Sequence, residues 1–227
     1  MMGIILLGVS ILPVILLALY IYRQDKYEKE PLGMLVKAFL GGIVAIPMDL
    51  LLVSLINGFY YSETVFYSAF IEAAFCEELC KFVILFLVIW WNKNFNEYMD
   101  GIVYAAFVGL GFACVENILY VFQGGLGTGI VRGLLSVPGH FLFAVIMGYF
   151  FSMAKFSKNG AFGYLMTGLF GAVLAHGLFD WMLMITDKLH PILAILLFLV
   201  FIFADIILWV IGIRYILKHQ NNSQFKS

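Results

Sequence analysis

The sequence predicts an all-α fold: a polytopic transmembrane helix bundle of about seven spans. Two observations carry that expectation. The 227 residues are 63% hydrophobic and only 12% charged, with a mean hydropathy of +1.01; soluble domains run about 45–50% apolar and about 25% charged. The apolar residues also fall into seven stretches, roughly 3–22, 36–57, 65–90, 101–121, 133–154, 161–185 and 190–213. Each is near the length of about 20 residues that a helix needs to cross a hydrocarbon core.

In chain order, residues 3–22 could pass for a signal peptide. They lack a basic leading region and a small-residue cleavage site, and the basic residues follow the stretch, so it reads as a retained first helix. The second span carries Pro47 and Asp49. The third is the most polar, with Glu72, Glu77, Glu78 and Lys81. The fourth holds Glu116, the fifth His140, the sixth His176 and Asp180, and the seventh Asp205. The connections are short and carry turn chemistry at Asn57-Gly58, Gly124-Gly125, Asn159-Gly160 and 187–191. With no repeat, low-complexity tract or linker, residues 1–227 read as one membrane-embedded domain. Cys76, Cys80 and Cys114 all lie in apolar runs and read as buried packing residues, not as a disulfide framework. His190 and His219 read as loop or tail residues with no case for a site.

Orientation follows from Lys and Arg. The odd-numbered loops and the C-terminal tail hold Arg23, Lys26, Lys29, Lys37, Lys93, Lys155, Lys158, Arg214, Lys218 and Lys226; the other side holds Arg132 and Lys188. Ten against two predicts an N-terminus outside and a C-terminus in the cytoplasm, and the alternation predicts an odd number of spans.

An ionised side chain at a helix centre costs about 2.5–3.5 kcal/mol on translocon scales, so intramembrane polar residues are functional candidates by default. With that orientation and about 1.5 Å rise per residue, Glu77, Glu78, Glu116, His140, His176 and Asp180 all fall in one layer in the outer half of the membrane. Asp205 falls in the inner half. Residues four apart share a helix face. His176 and Asp180 continue a stripe through Gly168 and Ala172; His140 heads one through Ala144, Gly148 and Ser152; Asn117 ends one through Ala105, Gly109 and Ala113, with Glu116 beside it. Small residues let membrane helices approach closely, so these polar groups should face inward. Glu77 and Lys81 share a face, with Glu78 about 100° round. Asp49 is a candidate for the same cavity through the Pro47 kink, and Glu72 for another interface.

Adjacent glutamates in a poorly solvated layer resist double ionisation and titrate as a coupled unit, while Lys81 favours charge on its neighbour. That supplies one carboxylate able to take a proton from water and one acid able to give it back. Amide hydrolysis needs both, plus a donor for the oxyanion, which His140 or His176 could provide. The plainer readings are a structural ion pair at Glu77-Glu78-Lys81, a hydrogen-bonded core histidine at His140, and a simple (i, i+4) bond between His176 and Asp180. Agreement of depth and face across four spans counts against all of them together. No GxSxG, HExxH or phosphate-binding loop is present. Glu116, His140 and His176 could also form a three-ligand zinc site with an open position.

The run Glu77-Glu78-Leu79-Cys80-Lys81 resembles the EExxK motif of the PrsW family of membrane proteases, part of the glutamate-type CAAX-protease and bacteriocin-processing-like superfamily. Asp100-Gly101 through Tyr104, Gly109, Gly111 and Phe112 to Glu116-Asn117 looks like the second family motif, which contains FxxxE. His140 looks like the third motif and His176-Gly177 with Asp180 like the fourth; the Asp25 to Glu30-Pro31 loop is similar to the first cytoplasmic loop. EExxK alone is weak, but four motifs in order on four spans are specific. The resemblance implies site-1 cleavage of a single-span, membrane-anchored anti-sigma factor on its extracytoplasmic side. Glu77 and Glu78 would activate water, Glu116, His140 and His176 would shape the site or stabilise the oxyanion, and Lys81, Asn117 and Asp180 would support them. No cofactor is required, with zinc as the one alternative; nothing points to nucleic acid.

Two other classes compete. A proton-coupled transporter also uses intramembrane Glu/His relays, but inverted repeats and paired broken helices are not evident. Haem or quinone held by His140 and His176 would give a coloured protein.

Overall fold

The structure, a computed structural model, describes residues 2–225. Lys226, one of the ten basic residues counted above, lies outside the described residues. All regular structure among them is helical. Helices α1 (Met2–Gln24) and α2 (Leu32–Phe59) come first. A helical run follows from α3 (Val65–Tyr67) through a π-helical stretch (Ser68–Phe75) into α4 (Cys76–Ile89). Then come α5 (Tyr98–Leu134), α6 (Ser136–Phe156), α7 (Ala161–Thr186) and α8 (Pro191–Asn221).

Five helical stretches are long and apolar enough to cross a membrane: Met2–Gln24, Leu32–Phe59, Tyr98–Phe156, Ala161–Thr186 and Pro191–Asn221. The third of these contains both α5 and α6. The run over 65–89 falls short of that description for a physical reason: it changes helical register at the π stretch and carries Glu77, Glu78 and Lys81. Pro13 and Pro47 sit inside α1 and α2, as membrane helices tolerate where neighbours satisfy the freed carbonyl.

Helices α5 and α6 form the centre, with Tyr104, Phe112, Phe141, Phe143 and Phe151 fully buried. Gly109 meets Ala144 across the α5–α6 seam, where a Cβ on the glycine would come within 2.8 Å. Gly42 of α2 lies against the Val108 carbonyl of α5, and Gly111 of α5 against the Phe39 carbonyl of α2. The small-residue stripes therefore face inward as expected. The outer helices turn apolar side chains outward: Leu12, Ile15 and Leu16 on α1, Ile195, Leu199 and Phe203 on α8. Cys76, Cys80 and Cys114 are free and buried.

The sequence places a simple turn at Gly124-Gly125, followed by loop. The structure keeps 126–134 helical and breaks the helix only at Gly125, whose φ of 79° and ψ of −166° suit glycine alone. The chain doubles back there, because Gly129 packs on Val121. This hairpin matters for the site.

Candidate active site

Glu77 and Glu78 lie in the first turn of α4 and Lys81 one turn on. The preceding run starts at Thr64, whose hydroxyl caps the Tyr67 amide at 3.3 Å. Its π stretch packs on α7, where Gly177 lies against the ring of Phe70 and leaves no room for a Cβ. That close approach brings His176, the neighbouring residue, onto α4. His140 comes from the buried first half of α6.

The Lys81 ammonium is the hub. Its Nζ lies 2.8 Å from Glu78 Oε1, 3.0 Å from Glu77 Oε2 and 3.1 Å from His140 Nδ1. It also sits over the Phe112 ring, 4.0 Å from the centroid. An ammonium only donates, so His140 Nδ1 accepts. The proton on His140 Nε2 then points at Glu116 Oε2, 2.7 Å away, which fixes the tautomer. His176 stands between two carboxylates: Nδ1 is 3.0 Å from Glu78 Oε1, and Nε2 is 3.4 Å from Asp180 Oδ2. Its ring stacks on Phe143 at 4.7 Å, and the two imidazoles lie edge to face at 5.2 Å. The Glu78 side chain is 1% exposed and that of Glu77 12%, so Glu77 is the glutamate nearer to entering water.

The structure thus joins Glu77, Glu78, Lys81, Glu116, His140, His176 and Asp180 in one network. Asn117 is one step away: its side-chain amide donates to the Ser10 carbonyl at 2.8 Å and its oxygen accepts from Arg132 at 3.3 Å. Asp49 is buried within electrostatic reach of Lys81, with Oδ1 lacking a hydrogen bond. Glu72 belongs elsewhere, accepting from Asn57 at 2.7 Å. Asp205 lines a separate cavity between α7 and α8. His219 is a fully buried residue of α8 bonded to the Tyr149 carbonyl at 3.0 Å, so it is no loose tail residue.

Sequence reasoning missed Arg132. The hairpin at Gly125 returns it to the cluster, with Nη2 2.9 Å from Glu116 Oε2 and the guanidinium 4.0 Å from the Tyr120 ring centroid. The available signal was Glu116 itself, a buried acid needing a counter-charge on the side of the chain where Arg132 is one of only two basic residues.

Glu77, Glu78, His140 and His176 present ligand atoms all within 4.8 Å of one another, a group able to hold a metal ion; Glu78 Oε2 is buried without a partner. This set differs from the trio expected from sequence: Glu116 stands outside it, reached through His140.

Acids and imidazoles gathered inside a bundle of apolar helices define a multi-pass membrane protein with an enzyme-like interior. The comparisons fix which kind. Residues 30–207 match the model of the PrsW family intramembrane metalloproteases. Protease PrsW of Clostridioides difficile (strain 630) is 37% identical over 225 residues, covering 95% of this chain and 91% of that protein. Protease PrsW of Bacillus subtilis (strain 168) is 35% identical over 210 residues, 92% of this chain and 93% of that protein. No solved structure matches. The chain belongs to the PrsW family: it is a peptidase, an intramembrane protease with a protein substrate, and the transporter and haem readings give way to it.

Proposed function

We propose that residues 1–227 form one protease domain that performs site-1 cleavage of a single-span, membrane-anchored anti-sigma factor on its extracytoplasmic side. The chain crosses the membrane seven times, counting the 65–89 run and taking α5 and α6 separately, with the N-terminus outside and the C-terminus in the cytoplasm. The skew of Lys and Arg supports this, and so does the position of the cluster away from the basic ends of the helices.

One observation carries the chemistry: acids and imidazoles from α4, α5, α6 and α7 converge on Lys81 at hydrogen-bond distance. Glu77 takes a proton from water as the hydroxyl attacks the scissile carbonyl, and returns it to the leaving amine. Glu78 stays bound to Lys81 and His176. His176, with donors toward both carboxylates, is placed to turn one toward the oxyanion. Glu116 fixes the ring of His140, which in turn holds Lys81.

The family description also raises a metal. Two carboxylates and two imidazoles suit zinc by donor type, and Glu77, Glu78, His140 and His176 would hold it; a bound ion supplies a water ionised near neutral pH. Lys81 already satisfies three of those donors, which favours the metal-free glutamate mechanism. The test pairs metal analysis with cleavage of a co-expressed, tagged single-span substrate. Activity should survive chelation, and Glu77→Gln or Glu78→Gln should insert normally but lose about 100-fold or more in rate. Full cleavage by both variants, or activity that returns only with added zinc, rejects the glutamate reading.

A further inference from the structure

Among the described residues, one cavity has walls bonded directly to the cluster. It has a volume of about 480 Å³ and lies between the α5–α6 corner, α7 and α8. Its surface is mainly apolar, from Phe179, Leu183, Phe198 and Ile202, with two charged groups, Arg132 and Asp180. Those two are the groups that touch Glu116 and His176. Two other large cavities among the described residues lack this connection. The one of about 360 Å³ against α1 and α2 has only apolar and tyrosine walls, and the one of about 280 Å³ between α2 and α4 reaches only Leu79, Cys80 and Val83 on the α4 side.

Size and chemistry define the occupant. An apolar cavity of about 150 Å³ is enough to hold a benzene ring, so this one has room for a bulky side chain and a stretch of extended backbone. Its only two charged groups, Arg132 and Asp180, already face Glu116 and His176, and the rest of its walls suit a large apolar side chain better than a charged one. Arg132 also has donor capacity left: Nε is bonded to Asn117 and Nη2 is buried against Glu116, while the side chain stays 17% exposed and Nη1 makes no bond in the cluster. A guanidinium so placed can donate to a backbone carbonyl of a passing peptide.

We propose that this cleft is the specificity pocket of the protease, taking a large apolar residue of the substrate beside the scissile bond, with Arg132 holding the neighbouring backbone. The proposal rests on the proteolytic reading above and deepens it. It makes α7 and α8 the entry side, consistent with α8 being the most outward-facing helix of the bundle.

The test uses the full-length enzyme and a tagged single-span protein that the wild type cuts. Leu183→Trp and Ile202→Trp fill the cleft while changing no residue of the cluster and should lower cleavage at least 10-fold. Replacing the bulky apolar residue next to the substrate's cut site by Ala should restore most of that loss. Leu51→Trp, on the outward face of α2, should cleave like wild type. A photo-crosslinking residue at 183 in the Glu77→Gln enzyme should capture the same substrate, and one at 51 should not; this arm needs no turnover. Unchanged cleavage by both tryptophan variants together with no capture at 183 overturns the pocket while leaving the protease standing. No cleavage by the wild type overturns both.

Discussion

The protein buries two groups of carboxylates and treats them in opposite ways. Around Lys81, Glu77, Glu78 and Glu116 each meet a cation or an imidazole within 3.0 Å. At the opposite, basic end, Asp25, Glu30, Glu97 and Asp100 are at most 3% exposed, yet none makes an ion pair among the described residues. This second knot is served by neutral donors on one oxygen of each acid, while Asp25 Oδ1, Glu97 Oε1 and Asp100 Oδ1 are buried without a hydrogen bond. The Asn96 and Glu97 amides donate to Asp100 at 2.8 and 2.7 Å, the Glu30 amide to Asp25 at 3.1 Å, Tyr104 to Glu30, and Ser223 to Glu97. Lys29, the nearest cation, donates to the Tyr22 and Asp25 carbonyls instead. Burial of acids alone therefore does not mark an active site. The fixed cation and the imidazoles do, because they hold charge where a reacting water needs it.

The sharpest way to break that contrast is Lys81→Met. Removing one partner of a buried ion pair costs about 3–5 kcal/mol, and here two glutamates and His140 lose their shared donor. The variant should unfold at markedly lower temperature in detergent and lose cleavage. Wild-type stability would mean that Lys81 is no hub and that the two acid groups are alike.

The knot should respond to pH in the direction its neutral donors dictate. Burial pushes the Asp25 carboxyl up to about 7, helped by the nearby charges of Glu30 and Glu97 and opposed by the Glu30 amide and Lys29. Burial likewise raises Glu30 and Glu97. A carboxyl raised on folding adds stability that is full below its ordinary value, near 3.8 for Asp25, and fades as pH rises through 7. Hydrogen exchange over 25–31 should speed up between pH 5 and pH 8 by more than the intrinsic pH effect. Asp25→Asn keeps the bond from the Glu30 amide but removes the charge. It should lie within about 1 kcal/mol of wild type, on the stable side at pH 8, with that extra acceleration reduced to the share of Glu30 and Glu97; a large loss of stability would reveal a cation that the knot needs.

The Lys81 group was legible in the sequence because helical periodicity and depth are geometric facts of a spanning helix. Residues four apart and rises of about 1.5 Å placed Glu77, His140, His176 and Glu116 together. What stayed hidden were departures from the regular helix. The π stretch over 68–75 changes the register before α4, and Glu72 pairs with Asn57 for reasons no α-helical wheel shows. The reversal at Gly125 turns an expected loop into a helix bearing Arg132. The knot was missed for another reason. Asp25, Glu30 and Asp100 stand in stretches that resemble family motifs, but helical periodicity does not join residues at separate helix ends, and only tertiary packing buries them with Glu97.

Asp180 tests where the Lys81 group ends. Its carboxylate is 22% exposed and 3.4 Å from His176 Nε2, against 1% and 3.0 Å for Glu78 on the other nitrogen. Half-open pairs of this kind contribute about 0.2–1 kcal/mol, or a factor of roughly five at most in rate if the whole contribution acts in the transition state. Asp180→Asn keeps an oxygen that can accept from Nε2, so the ring orientation survives and only the charge is lost. Cleavage should fall less than about fivefold, and Asp180→Ala, which removes the acceptor, should fall further than Asp180→Asn. A loss from Asp180→Asn as deep as that from Glu78→Gln would place Asp180 inside the reacting group, so that the boundary between fixed and water-facing carboxylates would have to be drawn one helix turn further along α7.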